Sequence, residues 1–316
     1  MAKNKNQFKK LTPEQFPTLL KEINDPPDEL YLEGTLPNEN ENKFLAVVGS
    51  RKYSRYGKEA CEELIRGLAG YPIVIVSGLA LGIDAIAHQS ALNNKLLTMA
   101  IPGSGLDRKV LHPFSNHRLA DEIVEAGGCL LSELEPECPA GVHTFPRRNR
   151  IMAGLSHAIL IIEAGERSGT LITARLAMEY NRDVLVVPGS IFSPGSRGAN
   201  NLIRQGAMPV NKSEDILQAL GFDTEEAEAD KQGRLWSDLS PIEQKIVEFL
   251  LSDSFPRDEL IELAELSVTD ANIILSTMEI KGIIKEAMGE IRLMWHLDRR
   301  DDDQITIRGN PPHISY

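Results

Sequence analysis

Six short apolar runs that alternate with helix-like stretches are the feature that most constrains the fold of this chain. The runs FLAVVG, PIVIVSG, LLTMAIPG, CLLSE, AILIIEA and DVLVVPG follow one another between residues 44 and 189. Strands buried on both faces of a parallel sheet have this composition, and intervening stretches such as residues 58–68 and 83–92 have the length of crossover helices. The sequence therefore predicts an α/β fold with an extended, Rossmann-like, doubly wound and mostly parallel sheet.

Almost every apolar run ends in small or polar residues, as in Gly49-Ser50, Ser77-Gly78 and Pro102-Gly103. In open α/β sheets, ligands bind outside the carboxyl ends of the strands. We therefore expect the functional site along that edge of the sheet.

The sequence predicts five segments. Residues 1–43 form a lead-in, residues 44–221 form the Rossmann-like domain, and residues 222–234 form an acidic linker that is short of large apolar side chains. In residues 235–297, three short helical patterns precede two apolar runs around a glycine turn, which is typical of a winged-helix domain. Residues 298–316 are expected to form a flexible tail.

The charge balance limits how this chain can meet a nucleic acid. It has 34 Lys and Arg residues against 46 Asp and Glu residues, a formal net charge of −12. A protein that coats nucleic acid with its whole surface has the opposite sign, so any such site must be a local basic patch.

Cysteine usage and hydropathy indicate a cytoplasmic location. The three cysteines show no C-x-x-C spacing, which argues against a disulfide framework and against a zinc site. No apolar run approaches the roughly 18–20 residues that span a bilayer. We expect a cytoplasmic protein without membrane attachment.

Two glycine-containing turns follow predicted strands. In GSRKYSRYG, Gly49 and Ser50 can turn backbone N–H groups toward an anion, and Arg51 can supply a planar fork for phosphate. In SGLALGIDAIAHQSAL, Ser77 and Gly78 form a similar turn, and Asp84 is a possible helix cap. An ordinary strand-to-helix turn with solvated cations is the alternative at GSRKYSRYG.

The densest basic cluster is FPRRNRIMAGLS. Arg147, Arg148 and Arg150 occur there within four residues, beside Asn149 and next to the ring of Phe145. Arginines contact phosphates and an aromatic ring stacks on a base, so this combination favours a single-stranded nucleic-acid site. A solvated basic turn is the alternative.

Two further segments follow strands. In EAGERSGTLITARLAME, the residues Ser168, Gly169 and Thr170 open a helix and can cradle a phosphate. The loop in PGSIFSPGSRGANNLIRQGA, which carries Arg197 and Asn200, is rich in Gly, Ser and Pro. Such a loop is either flexible or lines a ligand.

Motifs of hydrolases and metalloenzymes are missing from the sequence. It contains no Walker A motif, no H-E-x-x-H, no G-x-S-x-G and no carboxylate cluster typical of a nuclease. We therefore assign no catalytic residue, no cofactor and no metal.

Taken in order, these motifs resemble those of the DprA/Smf family of DNA-processing proteins. The resemblance covers residues 16–220 and includes PGSGLDRKVLHP and LLSELEP besides the segments above. It implies a non-enzymatic protein with a Rossmann fold that binds single-stranded DNA and protects it from nucleases. It also implies that the protein loads the RecA recombinase, works in natural transformation and forms a homodimer through the Rossmann-like domain.

Site residues carry over from the resemblance position by position. The resemblance places Arg51, Phe145, Arg147, Arg148 and Arg150 where the family contacts DNA. It places Ser168, Gly169 and Thr170 in a phosphate turn, and Gly103, Gly105 and Arg108 in the G-x-GLD loop. Two departures stand out: about 40 leading residues cannot supply the helical, SAM-like domain of many members, and Leu111-His112-Pro113 replaces the family's usual YP.

The C-terminal module resembles the winged helix of longer family members, but its charge is unusual. Residues 235–296 contain 12 acidic and 5 basic residues. A winged helix that reads DNA places a basic helix in the major groove. We interpret this module as a protein-contact or regulatory domain, or as an appendage that only adds stability.

Two other function classes compete with DNA binding. Phosphoribohydrolases of the LOG type share this kind of fold and use PGG-x-GT-x-x-E, but the comparable stretch here lacks the paired glycines, and Glu179 lies too far along the chain. A nucleotide-binding site remains an alternative. A pure interaction scaffold is the third class, against which the arginine cluster argues.

Overall fold

The computed structural model describes residues 8–223, 239–287, 289–294, 297–299 and 305–307 of the chain. The chain divides into two compact units, Met1–Gly221 and Phe222–Tyr316.

The described part of the first unit contains nine strands in a single sheet. They are β1 (Lys9–Leu11), β2 (Leu30–Gly34), β3 (Lys43–Val48), β4 (Ile73–Ser77), β5 (Leu97–Ala100), β6 (Cys129–Ser132), β7 (Ala158–Ile161), β8 (Asp183–Val186) and β9 (Met208–Pro209). The six predicted runs correspond to β3 to β8.

The strand order is β1-β2-β6-β5-β4-β3-β7-β8-β9. All pairs from β6 to β9 are parallel, and β1 and β2 add two antiparallel strands at one side. The predicted α/β fold with a mostly parallel sheet is confirmed. Because the chain leaves β3 toward β4 and returns on its other side at β7, the topological switch point lies between β3 and β7.

Eight α-helices accompany these strands in the described residues. They are α1 (Thr18–Lys21), α2 (Arg55–Arg66), α3 (Ile83–Asn93), α4 (His117–Glu125), α5 (Thr144–Leu155), α6 (Thr170–Glu179), α7 (Arg197–Arg204) and α8 (Ser213–Ala219). In α2, the Ser54 side chain accepts a hydrogen bond from the Gly57 N–H, which caps the helix. Its buried residues Cys61, Leu64 and Ile65 recur at helical spacing, so one face packs on the sheet.

The central strands are buried on both faces. Phe44 and Ala46 belong to one core cluster, while Leu45 and Val47, which point to the opposite face, are also fully buried. The backbone register places Ala46 between Val76 of β4 and Ile159 of β7.

The described residues 8–43 of the predicted lead-in pack together with the Rossmann-like domain. Strand β2 of the lead-in pairs with β6, so the same sheet continues into the lead-in. Leu20 and Leu30 are fully buried in the same core cluster as Phe44. The lead-in is therefore part of the core of the first unit.

The described part of the second unit contains three helices, Pro241–Leu250, Arg257–Leu263 and Val268–Ile280. The strands Ile284–Ala287 and Glu290–Leu293 form an antiparallel hairpin, to which Phe255–Pro256 adds a third strand. These elements lie where the sequence predicts three helices and a hairpin. The winged-helix interpretation of residues 235–297 stays a prediction.

The predicted linker and tail fall mostly outside the described residues. Residues 224–234 of the predicted linker lie outside the described residues. Within the predicted flexible tail, the structure describes Ile305–Ile307, which pairs as an antiparallel strand with Leu297–Arg299. The prediction of a flexible tail for residues 298–316 stays a prediction. Among the described helices, none has the length and apolar character needed to cross a membrane.

Candidate functional site

The structure brings two of the predicted motifs together at the carboxyl edge of the sheet. Arg51, in the loop after β3, places its guanidinium carbon 5.1 Å from the ring centroid of Phe145, in the first turn of α5. Arg51 is exposed and Phe145 is half-buried. A planar cation beside an aromatic face forms a surface on which a base can stack and near which a phosphate is stabilised.

A hollow opens beside this pair. It holds about 290 Å³ of space that is open to solvent, and it is lined by Arg51, Gly78, Ala80, Leu81, His112, Pro113 and Phe145. Its lining, which includes a cation and an aromatic ring, suits a single exposed base.

His112 lines the hollow, although its sequence motif did not identify it as a site residue. Its ring lies 6.0 Å from the Phe145 ring, edge to face, and the side chain is exposed. The signal was the departure Leu111-His112-Pro113 from the family pattern, which the structure places in the wall of the hollow.

Three of the predicted glycines make room for protein atoms. A Cβ on Gly103 would lie 2.5 Å from the Phe145 ring, and one on Gly49 would lie 2.7 Å from Ile83. A side chain at Gly105 would collide with the carbonyls of Glu135 and Pro136. These glycines shape the loops around the site, and the close contacts explain their identity without a bound ligand. Ser50 also closes its own turn, because its hydroxyl bonds the backbone of Lys52.

The turn of Ser77 and Gly78 is occupied internally, so its predicted role in binding phosphate is corrected. The Ser77 hydroxyl donates to the carbonyl of Val47 at 2.7 Å. The Asp84 carboxylate accepts hydrogen bonds from the backbone N–H groups of Gly78 and Ala80. Burial raises the pKa of Asp84, while these hydrogen bonds lower it. A carboxylate of the protein thus lies where an external anion would bind.

Arg148 is buried, so it cannot reach a phosphate as predicted. Its guanidinium donates to the carbonyl of Ile101 at 2.5 Å and fills the space that the missing side chain of Gly78 leaves. Burial lowers the pKa of Arg148, and the negative charge of the buried Asp84 raises it. Arg148 therefore stabilises the backbone at Ile101 and Gly78 beneath the exposed surface of the site.

Arg150 is also buried and binds protein groups, which corrects its predicted role. Its guanidinium contacts the Glu133 carboxylate and the Asp25 carbonyl. Asn149 is half-buried. Of the three arginines, Arg147 alone points outward, with 58% of its side chain exposed and one nitrogen 3.1 Å from Glu133.

Arg108 likewise binds groups of the protein itself, so we do not count it among the candidate DNA contacts. Its guanidinium lies 2.7 Å from a Glu33 oxygen and 2.8 Å from an Asp121 oxygen, and it also donates to the Leu106 carbonyl. Because two carboxylates already hold this guanidinium, Arg108 fastens the G-x-GLD loop to β2 and α4.

The turn of Ser168, Gly169 and Thr170 lies next to the Arg51 loop. The Thr170 hydroxyl donates to the Gly49 carbonyl at 3.2 Å, and the Ser168 hydroxyl donates to the Thr170 hydroxyl at 2.9 Å. Gly169 is exposed, and a Cβ there would meet nothing within 4 Å. The space at Gly169 is thus open to a phosphate, although the backbone N–H groups of Ser168 and Thr170 already donate to the Gly165 carbonyl and the Ser168 hydroxyl.

A second internal carboxylate lies at the switch point. Glu163, which is 5% exposed, accepts a hydrogen bond of 2.9 Å from the backbone N–H of Ser54 at the start of α2. A Cβ on Gly57 would lie 2.7 Å from the same carboxylate. In dinucleotide-binding Rossmann folds the start of the corresponding helix holds the pyrophosphate. Here Glu163 takes that place, which argues against the nucleotide-enzyme alternative.

Exposed apolar side chains are the other feature that the sequence did not reveal. The loops at the carboxyl edge carry Tyr53, Leu81, Phe114, Val142, Ile191 and Phe192, all more than 40% exposed. In the described residues, no group of three or more His, Cys, Asp or Glu could hold a metal.

Comparison with known proteins places this architecture in a family. The model of the family described as DNA recombination-mediator protein A matches residues 7–221. Protein Smf of Escherichia coli is 44% identical over 209 residues, a match that covers 66% of this chain but 55% of the E. coli protein. Protein Smf of Synechocystis is 33% identical over 314 residues, covering 88% of this chain and 78% of that protein.

Solved structures agree with this assignment. DNA processing protein A from Streptococcus pneumoniae has a TM-score of 0.64 at 41% identity, covering 69% of this chain and 75% of its own. The Helicobacter pylori protein of the same name, whose single-stranded DNA binding mode is described, has a TM-score of 0.61 at 32% identity, covering 68% and 95%. The resemblance seen in the motifs is confirmed: this chain belongs to the DNA recombination-mediator protein A family, also known as DprA/Smf.

Proposed function

We propose that this chain binds single-stranded DNA along the carboxyl edge of its sheet, protects the strand, and passes it to a RecA-type recombinase. The observation that carries the proposal is the stacked pair of Arg51 and Phe145, which places a cation and an aromatic face at the mouth of an open hollow. Single-stranded sites combine these two groups, because every base has a face to stack and every nucleotide has a charge to neutralise.

The distribution of charge supports the proposal. The chain carries a net charge of −12, yet Arg51, Lys52, Arg147, Arg167 and Arg197 are all exposed on loops or helix starts at this edge. The buried carboxylates Glu163 and Asp84 occupy competing anion sites nearby. The exposed cations are therefore left for a backbone that passes over the surface.

The relatives support the same function. DNA binding by the H. pylori protein, which covers 68% of this chain, makes a strand the first ligand to test. The family description as a recombination mediator supports a recombinase as the next recipient of that strand. We propose that the chain acts by binding alone, without catalysis or cofactor, in the cytoplasm during DNA uptake or recombination.

Exposed apolar side chains on α6 and β9 support a candidate surface for protein partners. On α6, Ile172 and Met178 are each 42% exposed, and Met208 of the edge strand β9 is 40% exposed. Large apolar side chains at a sheet edge and on a helix face are typical of protein contacts. We propose that β9 and α6 contribute to a homodimer or to the recombinase contact.

Binding measured by fluorescence anisotropy tests the DNA proposal. Labelled single-stranded and duplex oligonucleotides are titrated at several salt concentrations with the wild type, Arg51→Ala and Phe145→Leu. Arg66→Ala is the matched control, because Arg66 is a half-exposed arginine in the last turn of α2, at the opposite edge of the sheet.

We expect tight, salt-dependent binding of the single strand, with a slope of about −0.7 per neutralised phosphate in a plot of log affinity against log salt. Arg51→Ala and Phe145→Leu should weaken this binding, and Arg66→Ala should not. Wild-type protein that ignores single-stranded DNA, or equal loss in all three variants, would overturn the proposal.

A further inference from the structure

The loop between β8 and α7 holds two adjacent apolar side chains in solvent. Ile191 is 76% exposed and Phe192 is 87% exposed. The base of the loop is fixed, because the Asn200 side chain exchanges two hydrogen bonds with the Gly189 backbone, at 3.1 and 2.9 Å. The Tyr56 hydroxyl also donates to the Pro188 carbonyl at 2.7 Å. An aromatic ring displayed on an anchored loop is a preformed contact surface.

This loop continues the surface formed by Arg51 and Phe145. The Ala199 N–H, at the start of α7, donates to the Ala164 carbonyl at 3.0 Å, and a Cβ on Gly198 would lie 2.5 Å from the Gly165 carbonyl. The turn that begins at Gly165 reaches the Arg51 loop through the bond from Thr170 to Gly49. The loops after β3, β7 and β8 thus form one continuous ridge.

The charge of this ridge favours a polyanion over a protein partner. Residues 187–197 contain no acidic side chain, and Arg197 is exposed. On the neighbouring loop Arg167 and Glu166 are both exposed, so the excess positive charge comes from Arg197 together with Arg51 and Lys52. Within the described ranges, neither Arg167 nor Arg197 forms an ion pair, unlike Arg147. Unpaired arginines around an exposed ring match the composition of single-stranded DNA sites.

We propose that Phe192 is a second base-stacking platform for the same DNA strand. The strand runs from Phe145, past the open backbone at Gly169, to Phe192, with Arg167 and Arg197 beside its phosphates. This inference rests on the proposed function.

The strand order sets the length of DNA that such a path requires. Phe145 packs on Gly103, just after β5, and lines the hollow with Gly78, just after β4. In the sheet, β8 lies three strands from β4 and four from β5. At ~4.8 Å per strand this is about 14–19 Å, the length of about four to six nucleotides stacked at ~3.4 Å. A trinucleotide therefore cannot reach both rings while it is stacked.

Chain length of the ligand provides the test. Equilibrium binding of a thymidine trinucleotide and a thymidine dodecanucleotide is measured at low salt for Phe192→Ala, Phe192→Trp and Phe192→Leu. We expect Phe192→Ala to weaken dodecanucleotide binding by about 5- to 150-fold and to leave trinucleotide binding unchanged. Tryptophan should retain the affinity and leucine should not, because leucine has no ring to stack.

Each contrary result has a distinct meaning. Unchanged dodecanucleotide binding by Phe192→Ala, with loss in Phe145→Leu, would refute the second platform and leave the proposed function intact. Full affinity in Phe192→Leu, or a change of oligomeric state in Phe192→Ala by light scattering, would make this loop a protein contact and also refute the inference. Wild-type protein that binds neither oligonucleotide would instead refute the proposed function.

Discussion

The side-chain carboxylate of Glu163, just beyond β7, accepts a hydrogen bond of 2.9 Å from the backbone N–H of Ser54, at the start of α2. The two residues lie 109 positions apart in the chain and meet at the switch point of the sheet. The first N–H groups of a helix lack partners within the helix, and they attract anions. Glu163 therefore supplies from within the protein the anion that a nucleotide phosphate supplies in many related folds.

Removing this carboxylate should open an anion site. We expect no measurable binding of a nucleoside monophosphate by the wild type, and we expect weak phosphate-dependent binding by Glu163→Ala, measured by isothermal titration calorimetry. The variant should also lose about 0.5–2 kcal/mol of unfolding free energy, as for a lost helix cap. Wild-type binding of the nucleotide would instead revive the enzyme alternative.

Arg147 and Arg148 are neighbours in sequence with opposite roles. Arg148→Ala should reduce the free energy of unfolding by roughly 2–5 kcal/mol, because it removes a buried side chain that holds the Ile101 carbonyl and faces the charge of Asp84. Arg147→Ala should change stability by less than ~0.5 kcal/mol while weakening DNA binding. Urea unfolding and anisotropy on both variants separate the two effects. Equal stability of the variants would contradict this assignment.

The arginine cluster also shows what the sequence could and could not reveal. Composition and position identified a basic, aromatic segment after β6. The structure places its Phe145 beside Arg51 of another motif, a pairing that the segment alone did not predict. The sequence could not show which guanidinium is exposed, because the partners of Arg150 are far away in the chain. Asp25 comes from the lead-in and Glu133 from the end of β6. Long-range carboxylates, and not local pattern, decide the burial of these arginines.

The strands were predictable for a related reason. Each run of β3 to β8 is apolar on both faces, and this property is written in consecutive residues. By contrast, β1 and β9 are only three and two residues long, and β1 is mostly exposed, so neither carries a periodic signal.

Asp84 illustrates a local ambiguity. An acidic residue in the first turn of α3 was expected to cap that helix, but its carboxylate instead binds N–H groups of the preceding turn.

His88 should make stability fall in mild acid. It is fully buried, and its Nδ1 lies 2.7 Å from the Thr98 hydroxyl, which itself donates to the Ile75 carbonyl. Because the Thr98 hydroxyl uses its proton for the Ile75 carbonyl, Nδ1 of His88 carries a proton and donates to the Thr98 oxygen. Burial lowers the pKa of His88 from 6.5 to about 3.

The sign of the effect follows from proton binding. Between pH 6.5 and about 3 the unfolded chain binds a proton at His88 that the folded chain does not. The resulting loss of unfolding free energy is therefore absent above pH 6.5 and grows as the pH falls. The loss is about 1.4 kcal/mol per pH unit, or roughly 2 kcal/mol at pH ~5. Urea unfolding at pH ~7 and ~5 should show this dependence in the wild type and less of it in His88→Gln. Because both proteins keep Asp84, equal slopes would rule out His88 as the source.

The second unit should not bind duplex DNA. Its third helix, Val268–Ile280, contains Asp270 and Glu279 and no Lys or Arg, and its Ile273 and Ile280 are 63% and 88% exposed. A helix that enters the major groove needs cations for the phosphates that flank the groove. In full-length protein that carries Phe145→Leu together with alanine in place of the exposed cations of the sheet edge (Arg51, Lys52, Arg147, Arg167 and Arg197), we therefore expect no residual affinity for a duplex.

A gain of function provides the complementary test of that helix. Thr269, Ile273 and Ser276 are exposed on it, at positions spaced by four and three residues, so they share one face. Changing all three to lysine in the same background should create salt-dependent duplex binding if the geometry suits a groove and only the charge is missing. Anisotropy at two salt concentrations measures it. Duplex binding by the unmodified helix would contradict the protein-contact interpretation. Failure of the lysine variant to bind, with its fold intact by circular dichroism, would show that shape as well as charge excludes the groove.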